Sequence, residues 1–405
     1  MGIRLRFLAA FVLAFFVFQL GSCSSSSSSL ETAALFVTTQ GDSLVTPFSI
    51  NLSTGVLSTN GKGLATGAVP GSAVLASSSK ALFVANMNSS VAPGLSCRLP
   101  NPGSISGYTV NTDGTLTAAS GNATTAGIIP AAMALDSNGH LFVANQGRQC
   151  DPTSGTISVF SVSGTGLTAV GSITAVGAPG DLENPGPAGI AVTPDGKFVY
   201  VANRFDGSVS QYSVDTSSGA LAFILNYAVG TAPIGMAITP DGGFLYVANS
   251  GANSNSVSAF AICNQVVTTC SSPNQPDGTL TAVFGSPFSS GLGPVAMVIE
   301  PTGKFLFVAD QQSDEISEFR ISKGTGVLAA NSQTTISTGA NPSWLAFRAG
   351  TSTISATTGM LNFLYVANLG ASTISVFSFD STVGVLGQVN APVTTGGQPS
   401  AIATE

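Results

Sequence analysis

The feature that most constrains this chain is a short apolar run, Phe198-Val199-Tyr200-Val201-Ala202-Asn203, because near copies of it recur along the whole sequence. The others are Leu35 to Thr39, Leu82 to Asn86, Leu141 to Asn145, Leu245 to Asn249, Leu306 to Asp310 and Leu364 to Asn368, making seven. Consecutive apolar residues with β-branched and aromatic side chains predict a strand buried on both faces. A fixed repeat of such strands predicts an array in which each unit covers its neighbours.

Three further elements accompany each copy. Upstream lies a segment such as Pro187 to Thr193, closed by the turn Pro194-Asp195-Gly196; Pro233 to Thr239 and Pro294 to Glu300 match it. Proline presets the first turn dihedral and glycine accepts a positive φ, so these segments predict hairpins. Downstream comes an alternating strand, Gly207 to Asp215, with counterparts at Thr156 to Ser163, Ser256 to Cys263, Glu315 to Ser322 and Thr373 to Asp380, then a short glycine-led strand such as Gly219-Ala220-Leu221. The unit is four antiparallel strands.

The aromatic residues Phe36, Phe83, Phe142, Tyr200, Tyr246, Phe307 and Tyr365 lie 46 to 61 residues apart. That is the period of a β-propeller blade lengthened by loop insertions. The first copy has no first strand before it, whereas Pro399 to Thr404 is a first strand with no second strand after it. The expected fold is therefore an all-β, seven-bladed propeller of four-stranded antiparallel blades, its ring closed by the C-terminal strand completing the N-terminal blade. Closure removes an exposed sheet edge. The first strands are rich in Ala, Gly, Ile, Val and Met, as suits seven strands converging on a narrow channel.

Seven units carrying Tyr/Phe-Val-Ala-Asn, followed by a Val-Ser-x-Phe/Tyr strand, resemble the YVTN-type, lactonase-like propellers that include 6-phosphogluconolactonases. The resemblance covers residues 34–405. It implies the fold, and lactone hydrolysis as one activity; fold alone does not decide function. Relatives that open or close sugar and muconate lactones carry His and several Arg at the channel mouth, a set this sequence does not reproduce.

At the N-terminus, Arg4 and Arg6 precede an apolar run from Phe7 to Phe18 and then Leu20-Gly21-Ser22-Cys23. This is the layout of a secretory leader, and the residues before the cysteine resemble a bacterial lipobox. The expected division is a lipoprotein signal peptide over 1–22, a serine-rich tether over 23–33 and the propeller over 34–405. Cleavage before Cys23 and its acylation would anchor an exported protein, periplasmic or at the cell surface; Ser24 favours the outer membrane where the source has one. The alternative is an ordinary signal peptide with a chance cysteine.

Four cysteines remain, and an even count in an oxidising compartment favours disulfides over metal ligands. Cys263 is expected to pair with Cys270. Cys97 and Cys150 occupy equivalent loops of adjacent blades, so a bridge there would staple two insertions. No metal or cofactor is expected: Cys-x-x-Cys, His-Glu-x-x-His and calcium-loop spacings are missing.

Only 8% of residues are charged, with 12 basic against 19 acidic. Two of the basic residues lie in the leader, so no basic stripe exists for nucleic acid. Against that background the insertions on one rim stand out. The loop between second and third strands spans Met87 to Pro102 in one blade and Gln146 to Ser154 in the next, and Ser172 to Gly186 leads into blade 4. The same region of the rim gathers Arg98, Arg148, Asp151, Asp181, Glu183, Arg204 and Asp206. One reading is a ligand patch at the channel mouth, with Arg148 and Arg204 holding an anion and Asp181 or Glu183 activating water. The other is solvated loop charges.

The Asn that closes most second strands is expected to cap its own turn rather than join a ring of ligand-binding amides. His140, aligned with Lys197 and Lys304, is expected on the opposite rim. Without a catalytic triad or usable His, the residues favour a lipid-anchored, non-catalytic scaffold that presents the loop rim to a protein, glycan or small-molecule ligand at the cell envelope. The alternative is a lactone hydrolase resembling 6-phosphogluconolactonase.

Overall fold

A computed structural model describes residues 32–88, 102–121, 123–148, 151, 153–171, 174–176, 184–264, 275–350 and 362–405. These residues form seven antiparallel sheets, each with an innermost, second, third and outer strand. Blade 4 shows the plan: Pro187–Val192, Phe198–Asn203, Ser208–Val214 and Leu221–Ala228 pair in that order. Ring closure is as the sequence predicts. Pro399–Thr404 pairs antiparallel with Thr32–Thr39, with Val37 opposite Ile402, so blade 1 is built from both parts of the chain. Among the described residues no helix is long and apolar enough to cross a membrane.

Hydrophobic burial is divided among seven clusters, each shared by two neighbouring blades, rather than collected in one core. Blades 7 and 1, for example, bring Tyr365 and Ile374 against Leu35 and Phe48; blades 2 and 3 bring Phe83 and Ile105 against Leu141 and Val143. The aromatic residue of every second strand is fully buried. Each such side chain contributes about 1.5–3 kcal/mol, so the stabilisation is spread around the ring.

A second device joins the blades. A phenylalanine at the start of the second strand lays its ring against a glycine in the hairpin between third and outer strands of the next blade: Phe198 on Gly278, Phe244 on Gly326, Phe305 on Gly384 and Phe363 on Gly55. These glycines have φ of +79°, +68°, +72° and +72°. A side chain is excluded there both by the backbone and by the ring. Tyr200 and Tyr246 reinforce two of the seams, donating their hydroxyls to the carbonyls of Gly278 and Gly326.

The structure moves His140 from its expected place. Leu135 pairs with Leu141 in blade 3 as Val192 pairs with Val199 in blade 4. His140 is thus the counterpart of Phe198 rather than of Lys197, because the blade 3 turn is one residue shorter. It is 5% exposed, sits on Gly219 of blade 4, and its Nδ1 lies 2.9 Å from Asp136 Oδ2. The outer strands differ too. Blades 4 and 6 have one long strand, whereas in blade 5 Leu280–Ala282 and Phe288–Ser289 pair separately with Ser256–Ile262.

Candidate functional site at the channel mouth

Each innermost strand of blades 2 to 7 opens with proline, and its register shifts just after that residue. Proline cannot donate to the ladder, so the bulge falls where no hydrogen bond is lost. The residue before each of these prolines (Val69, Ile129, Gly186, Ala232, Gly293 and Asn341) has a positive φ of 48° to 72°. Its carbonyl accepts the backbone N–H of the residue that follows the second strand: Val69 from Met87, Ile129 from Gln146, Gly186 from Arg204, Ala232 from Ser250, Gly293 from Gln311 and Asn341 from Leu369. In blade 1 Gln40 donates to Gln398 in the same way at 2.8 Å.

The closing residue of each second strand fixes what comes next. Asn145 donates to Thr156 and Ser158 of the third strand at 3.1 and 2.9 Å and accepts from Gly127 N–H at 3.1 Å. Asn203 donates to Ser208 and Ser210, both at 2.8 Å, and Asn249 and Asn368 repeat the pattern. All are fully buried. They are cross-links between strands rather than caps of their own turns, although the Oδ1 of Asn203 has no partner. Blade 6 departs from the rule with Asp310, which accepts from Ser317 at 2.6 Å while its Oδ1 has no partner. Burial, then the nearby Glu315, pushes this carboxyl up to about 7.

With the strand end locked, the next residue faces the channel. Gln40, Met87, Gln146, Arg204, Ser250 and Gln311 line the mouth of a central cavity of about 920 Å³. Among its described lining residues Arg204 is the one ionisable group. Arg204 is exposed at the mouth, and partial desolvation there pushes its guanidinium pKa down. The mouth therefore presents one cation among amides, suited to an anion or to an oxygen that gains negative charge.

The expected charge cluster divides in the structure. Arg204 lines the cavity, whereas Arg148, 9% exposed, forms an isolated backbone β-bridge with Asp151 and is not among the described lining residues. Asp151 and Asp206 accept from Thr153 and Ser208 two residues on, as turn caps. Arg98, Asp181, Glu183, Cys97, Cys150 and Cys270 lie outside the described residues. Asp195 and Asp241 cap the opposite hairpins, as expected, accepting from Thr193 and Thr239.

The five lining glutamines Gln40, Gln146, Gln311, Gln312 and Gln398 were not singled out by sequence reasoning. A signal exists: the motif repeats, but the residue after it does not, running Gln40, Met87, Gln146, Arg204, Ser250, Gln311 and Leu369.

Residues 152–275 and 269–347 match the model of the lactonase family, a seven-bladed β-propeller. The fold is similar to that of PpgL, the periplasmic gluconolactonase of Pseudomonas aeruginosa (TM-score 0.70, 22% identity, 92% of this chain and 99% of that one). It is also similar to a Bacteroides fragilis protein assigned provisionally as a 6-phosphogluconolactonase (TM-score 0.69, 19% identity, 94% and 99%) and to a protein from Lactobacillus plantarum (TM-score 0.70, 17% identity, 93% and 100%). At these identities the likeness shows the fold. No curated protein matches the chain.

Proposed function

We propose that this chain, a lactonase-like seven-bladed propeller, hydrolyses a lactone at the channel mouth, with Arg204 as the group that stabilises the reacting carbonyl. The observation that carries the reading is the placement of Arg204 as the one ionisable residue among the described lining of a large cavity. Water adds to the lactone carbonyl, its carbonyl oxygen gains negative charge beside the guanidinium, and the ring C–O bond then breaks. The ring oxygen takes a proton and leaves as the hydroxyl of the product hydroxy acid. Arg204 is poised to favour the oxyanion over the neutral carbonyl, which is what lowers a barrier. The product carboxylate carries the same charge, so Arg204 also slows its release.

Water activation requires a base. We assign it to Asp181 or Glu183, which lie in the segment leading into blade 4, just ahead of Gly186, whose carbonyl holds the Arg204 backbone. Steady-state hydrolysis of glucono-δ-lactone and simple γ-lactones tests the scheme. Arg204→Ala is expected to lower kcat/KM by roughly 100-fold or more, the scale of a lost oxyanion donor, and one of Asp181→Asn or Glu183→Gln to lower kcat with little change in KM. Hydrolysis unaffected by all three substitutions would overturn it.

A second reading, a scaffold that binds at this rim without turnover, is favoured by the absence of carboxylate and imidazole from the described lining. Saturable binding with no hydrolysis above the uncatalysed rate would select it. Under either reading we infer export through leader 1–22 and anchoring by a lipid on Cys23.

A further inference from the structure

We propose that the cavity accepts a lactone bearing an aliphatic chain, with its polar ring at the mouth and its chain along the innermost strands, in preference to a polyhydroxylated sugar lactone. This rests on the lactone-hydrolase reading for the identity of the head group and on independent features of the wall for the tail.

The lining changes character with depth. Amides and Arg204 occupy the rim. Three residues beyond the opening proline of five innermost strands stand Met133, Ile190, Met236, Met297 and Leu345. Met87, Met133, Met236 and Met297 are four of the six methionines in the chain. Met133, Ile190, Met297 and Leu345 are 6 to 9% exposed and pack mainly between blades, so what they turn to the cavity is a narrow apolar and polarisable surface. Ile234, Val295 and Trp344 continue it on blades 5 to 7.

The two serine hydroxyls that line the cavity one residue beyond an opening proline are already committed. Ser343 donates to the Pro399 carbonyl at 3.0 Å, and Ser400 donates to the Pro70 carbonyl at 2.6 Å, each tying one innermost strand to the next. What remains is the free backbone edge of the innermost strands, which does not distinguish one pattern of hydroxyls from another. A sugar lactone that reached this level would leave several hydroxyls without side-chain partners, a cost that an alkyl chain does not incur. Size agrees. A cavity of about 920 Å³ lies near the top of the roughly 300–1,000 Å³ range of small-molecule sites, more than one small ring fills.

Trp344 is the only tryptophan in the chain and lines this cavity, so its fluorescence reads occupancy whether or not turnover occurs. The full mature protein is titrated with γ-butyrolactone, γ-octalactone, γ-decalactone and glucono-δ-lactone. Each probe is kept below its aggregation threshold, with calorimetry of wild type and Trp344→Phe as a check on the optical signal. Kd is expected to fall at least tenfold from γ-butyrolactone to γ-decalactone, well within the roughly fourfold per CH₂ that burial allows. Met236→Gln with Met297→Gln is expected to weaken γ-decalactone about tenfold and γ-butyrolactone little. Affinity independent of chain length, or glucono-δ-lactone binding more tightly than γ-decalactone, would overturn the inference. Chain-length-dependent binding without hydrolysis upholds it and defeats only the hydrolase reading.

Discussion

The ring of Phe363 in blade 7 occupies the space that a Cβ on Gly55 in blade 1 would need, and Gly55 itself has a φ of +72°. One seam of the ring is thereby specified twice, once by shape and once by backbone conformation. Gly55→Ala is expected to destabilise the protein by roughly 2–4 kcal/mol, left-handed strain adding to overpacking. Gly324→Ala is the control, since Gly324 has a φ of +83° but nothing within 4 Å of the point where an alanine methyl would stand; it is expected to cost only about 1 kcal/mol. Urea unfolding of the three proteins checks the difference, and equal losses would reject the seam argument.

Two buried carboxyls in blade 6 make stability depend on pH. Asp310 and Glu318 are both pushed up to about 7, in each case chiefly by burial. A folded-state pKa raised above the unfolded value means that the native state holds protons the unfolded chain has released. The contribution of these two groups to stability is therefore most favourable below about pH 4, falls between about pH 4 and 7, and levels off above. Asp310→Asn restores the residue used in blades 2 to 5 and 7 and can donate to Ser317. It is expected to flatten much of this slope and to raise stability at pH 8 by on the order of 1–3 kcal/mol. Chemical denaturation at pH 5 and pH 8 measures it.

Removing Pro399 to Glu405 exposes the inner edge of Thr32–Thr39, which is a long apolar strand. Bare strand edges pair with other chains. The truncated protein is expected to form oligomers or aggregate at concentrations where the intact protein stays monodisperse by light scattering, and to lose all Trp344-reported binding.

The cysteine pairing gives a prediction of its own. With Cys263 joined to Cys270 and Cys97 to Cys150, thiol titration of the denatured, unreduced mature protein is expected to find none free, and peptide mapping to recover those two pairs. A lipid on Cys23 is expected to be lost, and the protein released from membranes, in Cys23→Ala.

The blade number, strand order and ring closure were legible in the sequence because they rest on short-range periodicities, period two along a strand and about 46 to 61 residues between aromatics. His140 was misplaced because a one-residue turn deletion is invisible until strand pairing is known. The charge cluster divides for a related reason. Arg148 and Arg204 sit in equivalent loops, yet Arg204 directly follows the locked Asn203 and lines the cavity, whereas Arg148 comes three residues after Asn145 and is not among the described lining residues. The glutamine-rich rim depends on convergence of seven separated segments, which no local pattern encodes.

Gln40 and Gly41 stand in the cavity wall beside Gln398 and Ser400, residues that a ribosome delivers at opposite times. Five or six blades can pack while synthesis or translocation is still under way, but the binding chamber does not exist until the last strand arrives. Occupancy of the channel is thus a report on completeness: a chain released early would display most of its blades and have no chamber to fill.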